Sequence, residues 1–143
     1  MDLGLTGLRA LVTGGTKGIG GAIADLLAEE GAAVALCARN EEEVAAKVAA
    51  LRARGVAATG RAVDVADTGA LKAWIAEAGE ELGGLDILVP NVSALAVGAD
   101  EAAWRSGFSV DIMGTVAAVD AAMPFLERSK AGSIVVISFS SYQ

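Results

Sequence analysis

The chain has no histidine. A Ser-His-Asp triad would therefore lack its general base, and a metal site its commonest ligand. Cys37 is the only cysteine, which excludes an intramolecular disulfide and any cysteine metal cluster. No metal is expected, and a reducing cytoplasm is the natural compartment. Aromatic residues make up 4% of the chain against 54% apolar residues, so the core has to be assembled from Ala, Val, Leu and Ile. That composition favours helices packed closely on a sheet. The 11 basic residues are outnumbered by 18 acidic ones and form no long run, which argues against nucleic acid or an anionic membrane as partner. Neither a basic segment followed by an apolar stretch at Met1 to Leu5 nor about 18 uninterrupted apolar residues occur anywhere. A soluble, unexported protein is expected, and 143 residues suit one compact domain spanning 1–143.

The stretch Thr13-Gly14-Gly15-Thr16-Lys17-Gly18-Ile19-Gly20 organises the rest. It follows the short apolar run Leu8 to Val12, a buried strand by pattern, and opens onto a helix running to Glu30. In that helix Ile19, Ile23, Leu26 and Leu27 recur at helical spacing. At such a turn Gly14 can adopt angles closed to other residues, Gly18 can admit a group close to the main chain, and Gly20 can bring helix and strand together. The first turn of the helix offers unpaired N–H groups and a positive dipole end, which suit a phosphate or pyrophosphate. A tight turn with no ligand has the same appearance. The Gly-Lys-Ser/Thr phosphate loop is excluded, because Lys17 precedes Gly18 and Ile19 follows it.

Strands and helices then alternate. Ala33 to Ala38, Val56 to Val63, Leu85 to Val89 and Ser133 to Ser138 read as strands. Glu41 to Arg54 reads as a helix with Val44, Val48 and Leu51 on one face, and Thr68 to Leu82 as another with Leu71, Trp74, Ile75, Ala78 and Leu82 inward. A long helix from Glu101 to Arg128, capped by Asp100, is expected to bend near Asp111 to Gly114 and near Pro124. The order implies an α/β fold of the Rossmann type: a five-stranded parallel sheet with helices on both faces, in three αβα layers. Ligands of such a sheet bind beyond the carboxyl ends of the strands. Here those ends carry the glycine loop, Arg39-Asn40, Asp64-Val65, Pro90-Asn91 and Ser138.

These residues resemble the short-chain dehydrogenase/reductase family. The loop matches the family's Thr-Gly-x-x-x-Gly-x-Gly, and Asp64-Val65 matches the pair that follows its third strand. Val89-Pro90-Asn91-Val92-Ser93 stands where the family has Asn-Asn-Ala-Gly, and Gly132 to Ser138 resembles its strand leading to the catalytic serine. The resemblance implies a nicotinamide dinucleotide with its pyrophosphate over Gly14, Thr16, Lys17, Gly18, Ile19 and Gly20. It further implies Asp64 on the adenine amino group, Val65 against the adenine ring, and Asn91 near the nicotinamide-side ribose. Asp64 and Asn91 can also be read as ordinary strand-end and turn residues.

Charge separates the two cofactors. Family members that use NAD(H) hold the ribose 2′-hydroxyl with an acid at the end of the second strand, where this chain has Ala38 followed by Arg39 and Asn40. Arg39 can grip a 2′-phosphate with its planar fork and Lys17 can add a second positive charge. NADP(H) is the expected cofactor, with NAD(H) as the alternative.

Hydride transfer to a carbonyl needs a proton donor, which the family takes from Tyr-x-x-x-Lys beyond its serine. In this sequence Tyr142 is followed only by Gln143, so that motif and the C-terminal part of the family fold are absent from it. Ser138, Ser140 and Asp111 are the remaining catalytic candidates. Counting along the strand places Phe139 at the serine position, between the two serines, and Asp111 stands where the family has asparagine. Without the next family helix, Val116, Val119 and Phe125 are expected to be exposed. Two functions follow as expectations. One is an NADP(H)-dependent oxidoreductase acting on a small carbonyl or alcohol substrate, cytoplasmic, with the full-length form a homodimer or homotetramer. The other is a non-catalytic dinucleotide-binding half-domain that serves as an interaction module.

Overall fold

A computed structural model describes residues 2–94 and 98–138. Five parallel strands, β1 (Arg9–Thr13), β2 (Ala33–Ala38), β3 (Ala58–Ala62), β4 (Ile87–Val89) and β5 (Ser133–Ile134), lie in the order β3-β2-β1-β4-β5. The register sets Thr13 beside Cys37, Val12 beside Val89 and Ala38 beside Ala62, so the carboxyl ends form one edge. The strand order reverses at β1, and the crevice for a ligand opens there.

The strands alternate their faces. Val34 and Leu36 of β2 pack with α1 (Gly18–Glu29) and α2 (Glu41–Ala53), while Ala35 and Cys37 pack with α3 (Thr68–Leu82) and α5 (Gly114–Arg128). Helices therefore cover both faces, as the alternation of elements predicts. The inward faces of α2 and α3 are those read from the spacing, with Val44, Val48, Leu51, Leu71, Trp74, Ile75 and Ala78 all buried.

The inward face of α1 differs from the expected one. Gly20, Gly21, Ala24 and Ala28 are buried, whereas Ile19 and Leu26 are exposed and Ile23 and Leu27 half-buried. Small residues let this helix approach the sheet closely, and its large apolar residues are left at the rim. Phe125 is likewise not exposed: its ring fills the space where Gly79 of α3 has no side chain, with the Arg128 guanidinium 5.1 Å from the ring centroid. Val119 is half-buried against the same core, and of the three residues expected on the surface only Val116 is exposed.

The long helical run Glu101 to Arg128 consists of α4 (Glu101–Gly107), a π-helical segment Phe108–Met113 and α5. Asp100 caps it by accepting the Ala103 N–H at 2.9 Å. The irregularity expected at Asp111 to Gly114 is this π segment, a form that inserts a residue into the helix and is frequent at functional sites. By length and composition the run is apolar enough to cross a membrane, yet Ala117, Ala118, Ala122 and Leu126 are buried against the α3 side of the core.

At the opposite end of the sheet from the crevice, the Asp86 carboxylate joins β1 to the end of α5. It accepts from Arg9 N and Nε at 2.8 and 3.0 Å and from the Ser129 hydroxyl at 2.6 Å. Burial alone would raise the Asp86 carboxyl, but the bonds from Arg9 and Ser129 together hold it below the ordinary aspartate value. β5 is shorter than expected at two residues, although the chain beyond it keeps pairing, with Val135 N–H on Leu88 O and Ile137 N–H on Pro90 O.

Candidate cofactor site

The glycine loop is shaped by three glycines with different duties. Gly14 has φ +67°, and its N–H donates to the Cys37 carbonyl at 2.8 Å, which folds the chain back over the end of β2. Gly18 has φ +60° with open space where a Cβ would stand, so its main chain is accessible to a ligand. Gly20 is the reverse: a Cβ there would collide with the Gly14 carbonyl oxygen. It brings α1 against the loop itself rather than against the strand.

Asn91 locks this arrangement from the next strand. Its N–H donates to Thr13 Oγ1 at 3.0 Å and its Nδ2 to the Gly14 carbonyl at 3.2 Å. Pro90 ends β4 without an N–H, so the main chain turns here and delivers Asn91 to the loop.

A cleft of about 600 Å³ opens over these elements. Among its lining residues are Gly14, Thr16, Lys17, Ile19, Arg39, Asn40, Asp64, Val65 and Asn91, so nine of the eleven proposed cofactor contacts face one space. Gly18 and Gly20 do not line it; the first lies at the start of α1 and the second is buried beneath the loop. Asn40 also caps α2 by accepting the Glu43 N–H at 3.0 Å. Asp64 accepts the Ala66 N–H at 3.0 Å with one oxygen, so it is a turn-forming residue that also faces the cleft. Burial pushes the Cys37 thiol, on the cleft floor, up to about 12. It stays neutral and unreactive there.

The catalytic candidates are not gathered in this way. The Asp111 carboxylate is engaged, accepting the Ser93 hydroxyl at 2.9 Å and the Ala94 N–H at 2.8 Å. It ties the π segment to the loop after β4, and Thr115 Oγ1 donates to its carbonyl at 2.8 Å. Ser138 is exposed at the end of the β5 extension and does not line the cleft. Ser140, with Phe139 and Tyr142, lies outside the described residues. Sequence reasoning missed Glu43, Ser106 and Val110 as cleft-lining residues. Glu43 is in the first turn of α2, where an acid reads as a favourable charge at a helix start.

The cleft fits a dinucleotide. Lys17, the residue before α1, makes no side-chain cap, and no acid stands in the first turn of that helix. Its free N–H groups and the open main chain at Gly18 leave this helix end accessible to an anion. The Arg39 guanidinium makes no ion pair or hydrogen bond among the described residues.

A family model described as short chain dehydrogenase matches residues 9–141, and the chain belongs to that family of oxidoreductases. It is 37% identical over 141 residues to isoepoxydon dehydrogenase of Penicillium expansum, covering 96% of this chain and 54% of that protein. A short-chain dehydrogenase from Burkholderia cenocepacia solved with NADP superposes with TM-score 0.86 at 36% identity, over 92% of this chain and 55% of that one. An NAD+-bound xylitol dehydrogenase gives TM-score 0.85 at 26% identity, over 92% and 53%. The chain thus spans about half the length of the relatives it matches, and within it lies a nicotinamide-cofactor fold.

Proposed function

We propose that this chain is the cofactor-binding part of an NADP(H)-dependent short-chain oxidoreductase. The observation that carries the cofactor choice is Arg39: an unpaired guanidinium facing the cleft just after β2, following Ala38, which stands at the position where an NAD(H) enzyme keeps an acid. A bidentate guanidinium suits a phosphate ester better than a hydroxyl. Lys17 lines the same cleft and adds a second cation.

In this reading the α1 N-terminus and the glycine loop hold the pyrophosphate, Asp64 and Val65 the adenine, and Arg39 with Lys17 the 2′-phosphate. When bound, the nicotinamide supplies or takes up a hydride from a small carbonyl or alcohol. Asn91 keeps the loop in register with β4, and Asp111 fixes the segment after Asn91 through Ser93 and Ala94. Asp111 is thus a positioning residue. Ser138, in the extension that follows β5, is the described residue that resembles the family's hydroxyl donor in sequence.

Trp104, Phe108, Ile112 and Val116 are exposed at four-residue spacing, which supports a homo-oligomer that covers this stripe of the long helix.

Arg39→Asp tests the assignment. NADPH binding is expected to weaken by about 100-fold, and NADH binding by less than about threefold, because a guanidinium–phosphate contact becomes a repulsion. Equal losses for both cofactors would refute it. A turnover assay with small ketones and aldehydes separates an active oxidoreductase from a binding module.

A further inference from the structure

Glu43 is the one residue of the acidic first turn of α2 that lines the cleft; Glu41 and Glu42 are exposed and do not. Its backbone is pinned, since its N–H donates to Asn40 Oδ1, so the root of the side chain is set by the α2 cap. Its Oε1 lies 3.7 Å from Nζ of Lys17, which also lines the cleft. Lys17 has no other ion-pair partner among the described residues, and neither has Glu43; Lys47, one turn further along α2, pairs with Asp25 instead.

The pair therefore sets a carboxylate against Lys17, one of the two cations that make the cleft attractive to a phosphate ester. A ribose hydroxyl at the same position carries no charge, is not repelled by it, and can donate a hydrogen bond to a carboxylate. A phosphate dianion there meets repulsion from Glu43 and competes with Glu43 for Lys17. The carboxylate thus repels one of the two cofactors only. Asp64 also faces the cleft, at the end of β3, with one oxygen committed to Ala66.

We infer that Glu43 is a specificity-determining residue. It neutralises Lys17 in the free protein and holds the preference for NADP(H) below the value that Arg39 and Lys17 would set alone. This rests on the NADP(H) reading above. The surroundings are hydrated, with the Lys17 side chain 80% and the Glu43 side chain 42% exposed, so the effect is moderate and salt-sensitive.

The test is titration of the chain with NADPH and with NADH, followed by cofactor fluorescence, for wild type, Glu43→Gln and Arg39→Asp at low and high salt. Glu43→Gln is expected to tighten NADPH by roughly threefold to tenfold, to leave NADH within about twofold, and to lose most of its gain at high salt. A thermal melt confirms that the α2 cap, which uses only the backbone N–H of residue 43, is intact. An unchanged NADPH/NADH ratio in Glu43→Gln, with a collapsed ratio in Arg39→Asp, overturns the role of Glu43 and leaves the NADP(H) reading standing. An unchanged ratio in Arg39→Asp overturns the NADP(H) reading, and this inference with it.

Discussion

Replacing Gly20 by alanine adds a methyl group where the loop has no room. The new Cβ would collide with the Gly14 carbonyl oxygen and lie 2.5 Å from Asn91 Nδ2. The Gly14 carbonyl cannot yield cheaply, because Gly14 is held by its N–H bond to Cys37 O, whereas the Asn91 side-chain end can turn away only by giving up its hydrogen bond to that carbonyl. The start of α1 must therefore move outward. Overpacking of this kind costs about 1–3 kcal/mol, and loss of the Asn91 to Gly14 hydrogen bond adds about 0.5–1.5 kcal/mol. A total of about 2–4 kcal/mol lowers Tm by roughly 6–16 °C for a domain of this length.

Gly18→Ala, two residues earlier, is the control. Its site is open, so only the left-handed backbone conformation is penalised, by about 1 kcal/mol and roughly 3–4 °C. Its methyl group instead occupies the space through which a pyrophosphate would approach the main chain, and NADPH binding is expected to weaken by about tenfold or more. Thermal melts by far-UV circular dichroism and cofactor titrations measure both effects. The reasoning is refuted if Gly20→Ala melts within about 2 °C of wild type, or if Gly18→Ala is the more destabilised of the two.

Two further predictions concern the carboxylates that join strands to helices. Asp86→Asn should lower stability near neutral pH by about 1–3 kcal/mol, since the buried side chain loses its charge-assisted bonds from Arg9 and Ser129. The folded-state pKa of Asp86 is depressed, so its contribution is present above the unfolded value near 4 and is lost as pH falls through the folded value. The stability gap between wild type and variant, from urea titrations at stepped pH, should therefore close on acidification; a gap that widens contradicts the sign. Asp111→Ala removes the acceptor that holds the Ser93 hydroxyl and the Ala94 N–H and should cost about 1–2 kcal/mol. Asp111→Asn retains an acceptor oxygen and should recover at least half of that loss in the same unfolding assay; equal losses would show that the carbonyl-type acceptor is not what holds the loop.

Much of the site could be read from the chain because strand ends in a parallel sheet converge on one edge. Once the alternation of elements is recognised, the glycine loop, Arg39, Asp64 and Asn91 must neighbour one another. What stayed hidden depends on volume and tertiary contact. Large apolar residues at helical spacing suggest a buried face for α1, but a helix that touches a loop backbone buries its glycines and alanines instead. Phe125 was unreadable for the same reason: the space it fills is made by Gly79, 46 positions away in sequence. Asp111 reads as a changed catalytic residue, and only the fold brings Ser93 and Ala94 to it as donors. Glu43 reads as a helix-start acid, and only the cleft shows that it faces Lys17.

The most direct test of the whole account is a calorimetric titration of the wild-type chain with NADPH, repeated with NADH. Saturable one-to-one binding, at least about tenfold tighter for NADPH because a charged phosphate contact distinguishes the two, is the expected result. Absence of saturation by either cofactor, in a chain whose circular dichroism shows it folded, would contradict the claim that this edge is built for a dinucleotide.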